Sequence, residues 1–567
     1  MKSTVSLVLA AIFLSEFYLA QSTNTTAPQR PNIIILFADN LGYTDLSSLG
    51  GPSGRTPNID SLGKDGITFR HWNSAAHLCS ASRATLLTGK YAVRTGVYPR
   101  VFANDAAFGL SPFEVNIANY LKQEGYATSL VGKWHLGHRA PYLPTKQGFD
   151  EWLGIPYHMS GGSLDHHICS YDGDESWWLP LYENGNIVQQ PVRVEELAKR
   201  YAMRASSFIE THVAQEKPFF LYLAFSHVHQ LCAPKAGNEQ ESCQWHGGNN
   251  GKNATFGDAV KEMDWIAGEV LQALDASGAA NDTLVLFTSD NGPWLAEQSC
   301  SGSRGPWEGR WLADNVDQTC TACPHDHVPD PTQNRPRRCR LSETKPGVFQ
   351  ASAYVDGVHC GQDVGLGSVW EANLRMPAFA RFPGMIQPNT ETKAVVSTLD
   401  VFPTLLSILN LSLPPGLDGV DISPVLFGRE DEYNHSRVLY FWRDGFSEGP
   451  LPAPFGRMDV AAVKIGHLKA WFWTKSAHYN DDPEVYHDPP LLFNIEDDPA
   501  EAYPLNPDDY QEFVFSVIKL VKHHKKTIEW TAPLALEKDP SFRPCADPNN
   551  HCRTSEREEG ESVAKVE

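Results

Sequence analysis

The segment from residue 79 to residue 90 reads CSASRATLLTGK and places an arginine four residues after a cysteine. Its small and apolar residues predict a helix over Ser80 to Leu87, opening just after Cys79. Arg83 then lies on the same side of the first turn as Cys79. Because a helix N-terminus has free N–H groups and a positive dipole end, the segment predicts an anion site beside Cys79. A structural cysteine followed by a surface arginine is the alternative.

Four continuous apolar runs predict buried parallel strands, and each run ends in polar residues. The runs cover residues 32–38, 127–131, 218–225 and 284–289. The residues that follow them are Asp39-Asn40, Gly132-Lys133-Trp134-His135, Ser226-His227-Val228-His229 and Asp290-Asn291. Ligands bind at the carboxyl ends of the strands in open α/β sheets, so these residues are the candidate site.

Helical patterns alternate with these strands, at Phe113 to Glu124, Val194 to His212 and Asp258 to Ser277. This alternation predicts an α/β layered fold. Farther along, residues 438–442 and 461–473 predict an antiparallel sheet, and residues 513–526 predict a helix. We therefore expect a smaller C-terminal α+β domain over 428–553, after a catalytic domain over 31–427 and before a polar tail over 554–567. A Cys-rich insertion is expected over 300–365.

Several features predict a secreted chain. Residues 1–20 carry Lys2 and an apolar run too short to span a bilayer, which is typical of a signal peptide cleaved near Ala20. No other segment predicts a membrane span. Five N-x-[ST] sequons fit this interpretation: Asn24, Asn253, Asn281, Asn410 and Asn434. We expect the extracellular space or matrix as destination, with the lysosome as second choice.

The cysteine count fits an oxidising compartment. Eleven cysteines are present, so ten remain for five disulfides if Cys79 is set aside, although a free thiol also explains the odd number. Cys320 and Cys323 stand close to His325 and His327, a spacing that zinc sites also use. In a secreted chain we favour disulfides there.

A net charge of −21 makes nucleic acid an unexpected partner. An acidic surface also repels polyanions at long range, so any anion-binding site must be locally cationic.

Seven segments together resemble the sulfatase family, and most closely its secreted or lysosomal arylsulfatases. They read PNIIILFADNLGYTDL, RTPNIDSLGKDGITF, CSASRATLLTGKY, VGKWHLG, GFDEWLGIPY, FTSDNGP and RMPAFARFPG, and they cover residues 31 to about 425 in the family's order. The resemblance implies an alkaline-phosphatase-like mixed sheet flanked by helices. It also implies a calcium-dependent hydrolase of sulfate esters, whose cysteine is oxidised to formylglycine (3-oxoalanine) by a formylglycine-generating enzyme.

The resemblance further implies a metal site for one calcium ion per chain. Asp39, Asn40, Asp290 and Asn291 occupy the family's metal-ligand positions, together with the modified Cys79. Carboxylate and amide oxygens suit calcium, and a set without histidine disfavours zinc. Taken alone, each Asp-Asn pair is more typical of a turn or a helix cap.

The same resemblance assigns the catalytic roles. Cys79 provides the nucleophile as an aldehyde hydrate, and Arg83 supports it. Lys133 binds sulfate and His135 acts in acid–base chemistry, and on an extended segment the two side chains point the same way. His229 donates to the leaving alcohol oxygen.

Three positions depart from the family's pattern. Asn40 replaces the second acidic residue of the FADD motif, which removes one negative charge. Leu366 stands where a lysine commonly contacts the substrate sulfate, and losing such a contact costs ~2–4 kcal/mol at a transition state. Arg304 is a candidate substitute for that lysine. His158 replaces a common serine and retains a hydrogen-bond donor for substrate binding.

Three functional hypotheses follow. The first is an active extracellular arylsulfatase acting on a sulfate ester. The second is an extracellular-matrix protein that binds sulfated polysaccharide and has weak or vestigial activity. The third, a phosphatase on the same scaffold, requires a Ser or Thr nucleophile and two zinc ions, and Cys79 argues against it. The sequence permits an oligomer but does not specify one.

Overall fold

The computed structural model describes residues 30–51, 56–159, 179–229, 256–295, 301–315, 364–446, 457–477 and 484–554, with short strands at 163–164, 167–168, 327–329 and 339–341. The predicted signal peptide, the polar tail beyond residue 554, most of the predicted insertion and the Cys320/Cys323 pair lie outside these residues.

An eleven-stranded mixed sheet forms the centre of the larger domain. Its strands are β1 (Asn32–Ala38), β2 (Ile67–Asn73), β3 (Ala127–Gly132), β4 (Glu151–Gly154), β5 (Leu181–Glu183), β6 (Asn186–Gln189), β7 (Phe219–Ala224), β8 (Thr283–Ser289), β9 (Arg375–Met376), β10 (Ala378–Arg381) and β11 (Thr390–Ser397). Their order is β9-β2-β10-β8-β1-β7-β3-β4-β5-β6, and β11 pairs with β2. The run β8-β1-β7-β3-β4 is parallel, as the four apolar runs predict.

Helices cover both faces of this sheet. The α-helices of the larger domain are α1 (Pro57–Lys64), α2 (Cys79–Thr88), α3 (Ala92–Thr95), α4 (Ile117–Gln123), α5 (Val194–Ala214), α6 (Phe256–Ser277), α7 (Arg310–Asn315), α8 (Glu371–Leu374), α9 (Val401–Ile408) and α10 (Ser423–Leu426). The C-terminal domain contains α11 (Gln511–Thr527). Short 3-10 helices lie at 43–45, 47–49, 140–142, 144–146, 280–282, 398–400, 430–432, 507–510, 540–542 and 548–550.

The continuous apolar strands are explained by burial on both sides of the sheet. Ile34 and Leu36 of β1 pack into one core layer with residues of α5 and α6. Ile33 and Ile35 of the same strand pack into the opposite layer with residues of α2, α4 and α9. Successive side chains of a strand point to opposite faces, so a strand with helices on both sides has no solvent-facing positions that would favour polar residues. This explains why β1, β7 and β8 lack hydrophobic alternation.

The C-terminal domain contains a four-stranded antiparallel sheet and one long helix, as predicted. Its strands are β12 (Val438–Phe446), β13 (Arg457–Ile465), β14 (Leu468–Thr474) and β15 (Val485–Asn494), in that order. The apolar run 461–473 thus belongs to two strands, joined by a turn at Gly466, whose φ is +55°. A disulfide between Cys545 and Cys552 closes a short loop near the end of the described chain.

Four of the five predicted helix starts were wrong. The helices expected from Asp258 and Phe513 begin two residues earlier, at Phe256 and Gln511. The helix expected from Phe113 begins at Ile117, because the side chain of Asn116 accepts the N–H of Asn119 at 3.1 Å and caps it. Cys79, expected just before its helix, is the first residue of α2. Among the described residues, no helix has the length and apolar character needed to cross a membrane.

Candidate active site

The parallel pairing of β1 with β8 brings two Asp-Asn pairs together. Ala38 lies opposite Ser289, so Asp39 and Asp290 leave adjacent strand ends at the same level. The backbone N–H of Asn40 donates to Asp290 Oδ1 at 3.1 Å, and Asn291 Nδ2 donates to Asn40 Oδ1 at 2.7 Å. All four side chains are buried. The two predicted pairs therefore form one cluster.

Cys79 faces this cluster from the first residue of α2. Its Sγ lies 3.7 Å from Asp39 Oδ1 and 3.7 Å from Asn40 Oδ1. The thiol is buried and free. Burial raises the pKa of the thiol well above its usual value, and Asp290 and Asp39 add to this, although Lys133 opposes it. An unmodified Cys79 is therefore a neutral thiol and a poor nucleophile.

Two fully buried cations neutralise the two carboxylates. Arg83 Nη2 lies 2.8 Å from Asp290 Oδ2 and 3.7 Å from Asp39 Oδ1. Lys133 Nζ lies 2.6 Å from Asp39 Oδ2, and Arg83 also donates to the Lys133 carbonyl at 3.1 Å. These residues, with Asn40, Asn291 and Cys79, are called the strand-end site below. Its formal side-chain charges cancel, so it can accept a further cation together with an anionic substrate.

A hard divalent cation fits the donors of the strand-end site. Ligand atoms of Asp39, Cys79 and Asp290 lie within 4.8 Å of one another. Burial, and then the nearby Asp39 carboxylate, raise the pKa of Asp290, which shows that two adjacent anions repel. Oδ1 of Asn291 is buried without a hydrogen-bond partner among the described residues. A bound cation relieves the repulsion and satisfies the amide oxygen.

His135 follows β3 and lies within the buried site. It has φ +59°, so the Lys133–His135 segment turns, and the prediction of an extended segment was wrong. Neither ring nitrogen of His135 has a hydrogen-bond partner within the described part of the chain. Burial, and then the charge of Lys133, lower its pKa well below the usual value. The imidazole is therefore neutral in the folded protein.

A row of rings extends from His135 to Trp294. The rings of His135 and His158 are 5.4 Å apart, and His158 stacks on His229 at 5.0 Å with an interplanar angle of 12°. Trp294 meets His229 edge to face at 5.6 Å. The structure thus brings the three predicted histidines together. Trp294 was missed, although it stands only three residues after Asn291 and two after Gly292, which identifies it as a neighbour of the strand end.

Leu366 and His227 occupy different surroundings. Leu366 forms a small buried apolar cluster with Cys79 and Leu78, against which Trp294 packs. The position where a cation was expected is therefore an apolar wall beside Cys79, and the suggested substitute, Arg304, is exposed. His227 Nε2 lies 3.2 Å from Glu262 Oε2, so its side chain pairs with a residue of α6.

Comparisons with known proteins bear on this site. The Sulfatase family model matches residues 31–411, and a second model, the C-terminal region of aryl-sulfatase, matches residues 435–554. Arylsulfatase G of Homo sapiens is 33% identical over 556 residues, covering 92% of this chain and 92% of that protein. Arylsulfatase A of Homo sapiens is 32% identical over 509 residues, covering 86% and 85%.

The fold comparison agrees. The crystal structure of PsFucS1 sulfatase from Pseudoalteromonas sp. superposes with a TM-score of 0.65 at 23% identity, covering 88% of this chain and 90% of that chain. This confirms the predicted alkaline-phosphatase-like fold with its separate C-terminal domain. The chain belongs to the sulfatase family. It is an enzyme of the arylsulfatase type, a hydrolase of sulfate esters.

Proposed function

We propose that this enzyme cleaves sulfate esters with a formylglycine hydrate derived from Cys79 and with one calcium ion at the strand-end site. The observation that supports this proposal is the position of Cys79, 3.7 Å from both Asp39 and Asn40. A neutral, buried thiol has no evident use there, whereas an oxidised side chain is already beside the ligand oxygens. Asp39, Asn40, Asp290, Asn291 and the modified residue 79 hold the ion in this proposal.

The modified residue and the ion provide distinct chemistry. When hydrated, the aldehyde supplies two hydroxyl groups, of which one displaces the alcohol at sulfur and the other releases sulfate as the aldehyde forms again. The calcium ion supplies positive charge for the sulfate oxygens. A thiolate has no second hydroxyl and leaves the enzyme trapped as a sulfated intermediate.

The chain's own cations orient the substrate and the nucleophile. Lys133 Nζ holds Asp39 and has further N–H groups for a sulfate oxygen. Arg83 fixes Asp290 from the opposite side of the cluster. Both are fully buried, so their charges act at low dielectric, where they stabilise negative charge more strongly than in water.

The histidines move protons in this proposal. His135, neutral and without a described partner, accepts the proton of the hydroxyl that releases sulfate. His229 donates to the leaving alcohol oxygen, and His158 stacks on His229 and adds a donor for substrate binding. Trp294 and Leu366 offer apolar surface beside them, which suits a flat aromatic alcohol.

We also propose the cellular context. The relevant partners are a sulfate ester and, during synthesis, a formylglycine-generating enzyme. The destination is the extracellular space or matrix, with the lysosome as the alternative. The domain boundaries, glycosylation at the five sequons and a possible oligomer stay predictions.

The matrix hypothesis is retained as the second candidate because Leu366 places an apolar side chain where a sulfate-binding cation was expected. Binding of a sulfated glycan to the Cys79→Ala variant at physiological salt tests it. If the variant does not bind the glycan, a matrix role through this site is contradicted.

The decisive experiment compares two preparations of the same chain, made with and without the converting enzyme. The tryptic peptide 71–83 carries Cys79. Conversion lowers its mass by about 18 Da, a product distinct from the usual thiol oxidation states. Only the converted protein should hydrolyse 4-nitrophenyl sulfate, and calcium chelation should stop it until calcium is restored. Absence of turnover by converted, calcium-loaded protein contradicts the proposal.

A further inference from the structure

One buried amide, that of Asn373 in α8, joins three segments of the chain. Its Nδ2 donates to the His77 carbonyl at 3.1 Å and to the Ser368 carbonyl at 2.7 Å. Its Oδ1 accepts the backbone N–H of Gly292 at 3.1 Å. Both donor hydrogens and the acceptor oxygen are thus engaged, and the side chain is fully buried.

Each of these three segments carries a residue of the active site. His77 precedes Cys79 by two residues, and Gly292 follows Asn291 directly. Ser368 follows Leu366 by two residues. The Asn373 amide is therefore hydrogen-bonded to the segments that carry Cys79, Asn291 and Leu366.

The end of β8 lies very close to α8. A Cβ on Gly292 would lie 2.1 Å from the Ala372 carbonyl oxygen, so only glycine permits this approach of β8's end to α8. The Gly292 N–H also lies 2.9 Å from the Asn373 carbonyl, and the Gly292 carbonyl accepts Asn291 Nδ2 at 3.0 Å. A displacement of α8 is therefore transmitted directly to Asn291.

The C-terminal domain holds α8 from the other side. Glu371, two residues before Asn373, accepts Lys464 Nζ at 2.8 Å and Lys469 Nζ at 3.1 Å. Both lysines lie on the C-terminal sheet and are fully buried. Asn373 thus stands between the C-terminal domain and the strand-end site.

We propose that Asn373 is a positioning residue, which sets the separation between residue 79 and the Asp290–Asn291 strand end. The inference rests on the proposed function for its catalytic consequence, although the positioning itself does not depend on it. Without the amide, the three side-chain hydrogen bonds are lost, and the segments stay joined only by backbone hydrogen bonds, such as Gly367 N–H to the His77 carbonyl at 3.0 Å and Gly292 N–H to the Asn373 carbonyl at 2.9 Å. The ligand oxygens are then held less firmly beside residue 79.

The test compares Asn373→Ala with Asn116→Ala. Asn116 is also fully buried and joins two segments, since its Nδ2 donates to the Gln147 carbonyl at 3.0 Å and its Oδ1 accepts from Asn119. Asn373→Ser is neutral and keeps a hydroxyl in place of the amide, so no carboxylate oxygen faces the His77 and Ser368 carbonyls, and it is the second variant if Asn373→Ala does not fold.

Three measurements test whether Asn373 positions these segments. In converted protein, Asn373→Ala should lower kcat and raise the calcium dissociation constant measured by titration calorimetry, each by at least about tenfold. In unconverted protein, it should raise the rate at which iodoacetamide labels Cys79 by at least about fivefold. Asn116→Ala should change all three within about twofold while lowering the melting temperature comparably.

The outcomes separate this inference from the proposed function. Inactive converted wild-type protein contradicts the proposed function, and labelling of Cys79 still tests Asn373. Unchanged labelling, kcat and calcium affinity in both Asn373 variants overturn the inference. Equal effects in Asn116→Ala overturn it too, because they show general destabilisation.

Discussion

Among the described residues, two of the buried groups of charged side chains are built differently. The strand-end site has the charges of Asp39, Asp290, Arg83 and Lys133. The second cluster, called the interdomain cluster, consists of Glu371, Arg375, Lys464, Lys469 and Glu501 and joins the two domains. Both are removed from water, yet only one has the features expected of a reactive centre.

The difference lies in how completely the polar groups are paired. None of the five side chains in the interdomain cluster leaves a buried polar atom without a partner among the described residues, whereas Asn291 Oδ1 and both nitrogens of the adjacent His135 do. Positive φ does not separate the two clusters, because Asn40 and His135 have φ +59° and Glu501 of the interdomain cluster has φ +49°. The unpaired polar groups are therefore the feature that distinguishes the strand-end site.

The pKa values of Glu371 in the interdomain cluster and Asp290 in the strand-end site are shifted in opposite directions. Burial opposes ionisation of Glu371, but the attraction of Lys464, Lys469 and Arg375 outweighs it and holds its pKa well below the usual value. At the strand-end site, burial and Asp39 raise the pKa of Asp290. Burial also raises the pKa of Glu501 in the interdomain cluster, so neither a perturbed pKa nor its direction identifies a catalytic cluster, and only the unpaired groups distinguish the two.

The largest expected effect is loss of the nucleophile. Cys79→Ala should lower kcat/KM for 4-nitrophenyl sulfate by at least about 10³-fold, because no covalent intermediate forms. The melting temperature should change little, since the substitution removes one atom. Activity within tenfold of the wild type would show that catalysis does not use residue 79.

Removal of one site cation should have the next largest effect. Lys133→Met should lower kcat/KM by about 10²–10³-fold, because a buried charge that contacts both Asp39 and the sulfate is lost. Lys90→Met is the matched control, since Lys90 pairs with Glu114 at 2.7 Å on a partly exposed surface. Comparable losses in both variants would contradict a specific role for Lys133.

The interdomain cluster should respond in stability. Glu371→Gln should lower the free energy of unfolding by about 3–5 kcal/mol, because it leaves buried cations without their common partner. Glu501→Gln should cost less, since burial raises the pKa of Glu501 and its ionised form is disfavoured in the folded protein. Denaturant unfolding measures both, and kcat of the folded Glu371→Gln protein should fall less than that of Lys133→Met. Equal destabilisation by the two glutamate substitutions would contradict this difference.

The smallest effect concerns acid stability. His71 accepts a hydrogen bond from Arg375 at 2.9 Å, and burial followed by the Arg375 charge lowers its pKa from 6.5 to about 2. Between these values the unfolded chain binds a proton that the folded chain does not, so this stabilisation is complete above pH 6.5 and declines as the pH falls. The loss of unfolding free energy between pH 7 and about 5 should be smaller in His71→Gln than in the wild type, while substitution of the exposed His523 leaves it unchanged.

Most of the fold was predictable because burial dictates residue type. The strands β1, β3, β7 and β8 are mostly apolar since helices cover both faces, although β3 includes Thr128 and Ser129 and β8 ends in Thr288 and Ser289. Asp, Lys or His residues follow their ends. Helix starts were less predictable, because one cap decides them: Asn116 moved α4 to Ile117. The contact between Leu366 and Cys79 joins residues far apart in sequence, and no local pattern reveals it.

The sequence by itself determined the chemical groups available: a cysteine at a helix start, two Asp-Asn pairs, Lys133 and three histidines. Only the tertiary structure decided that the parallel register of Ala38 with Ser289 sets both pairs side by side. It also decided that His135 turns through a positive φ and that Asn373 ties three segments together. The physical reason is that residue type follows from local burial and polarity, whereas register and attachment depend on hydrogen bonds between segments hundreds of residues apart.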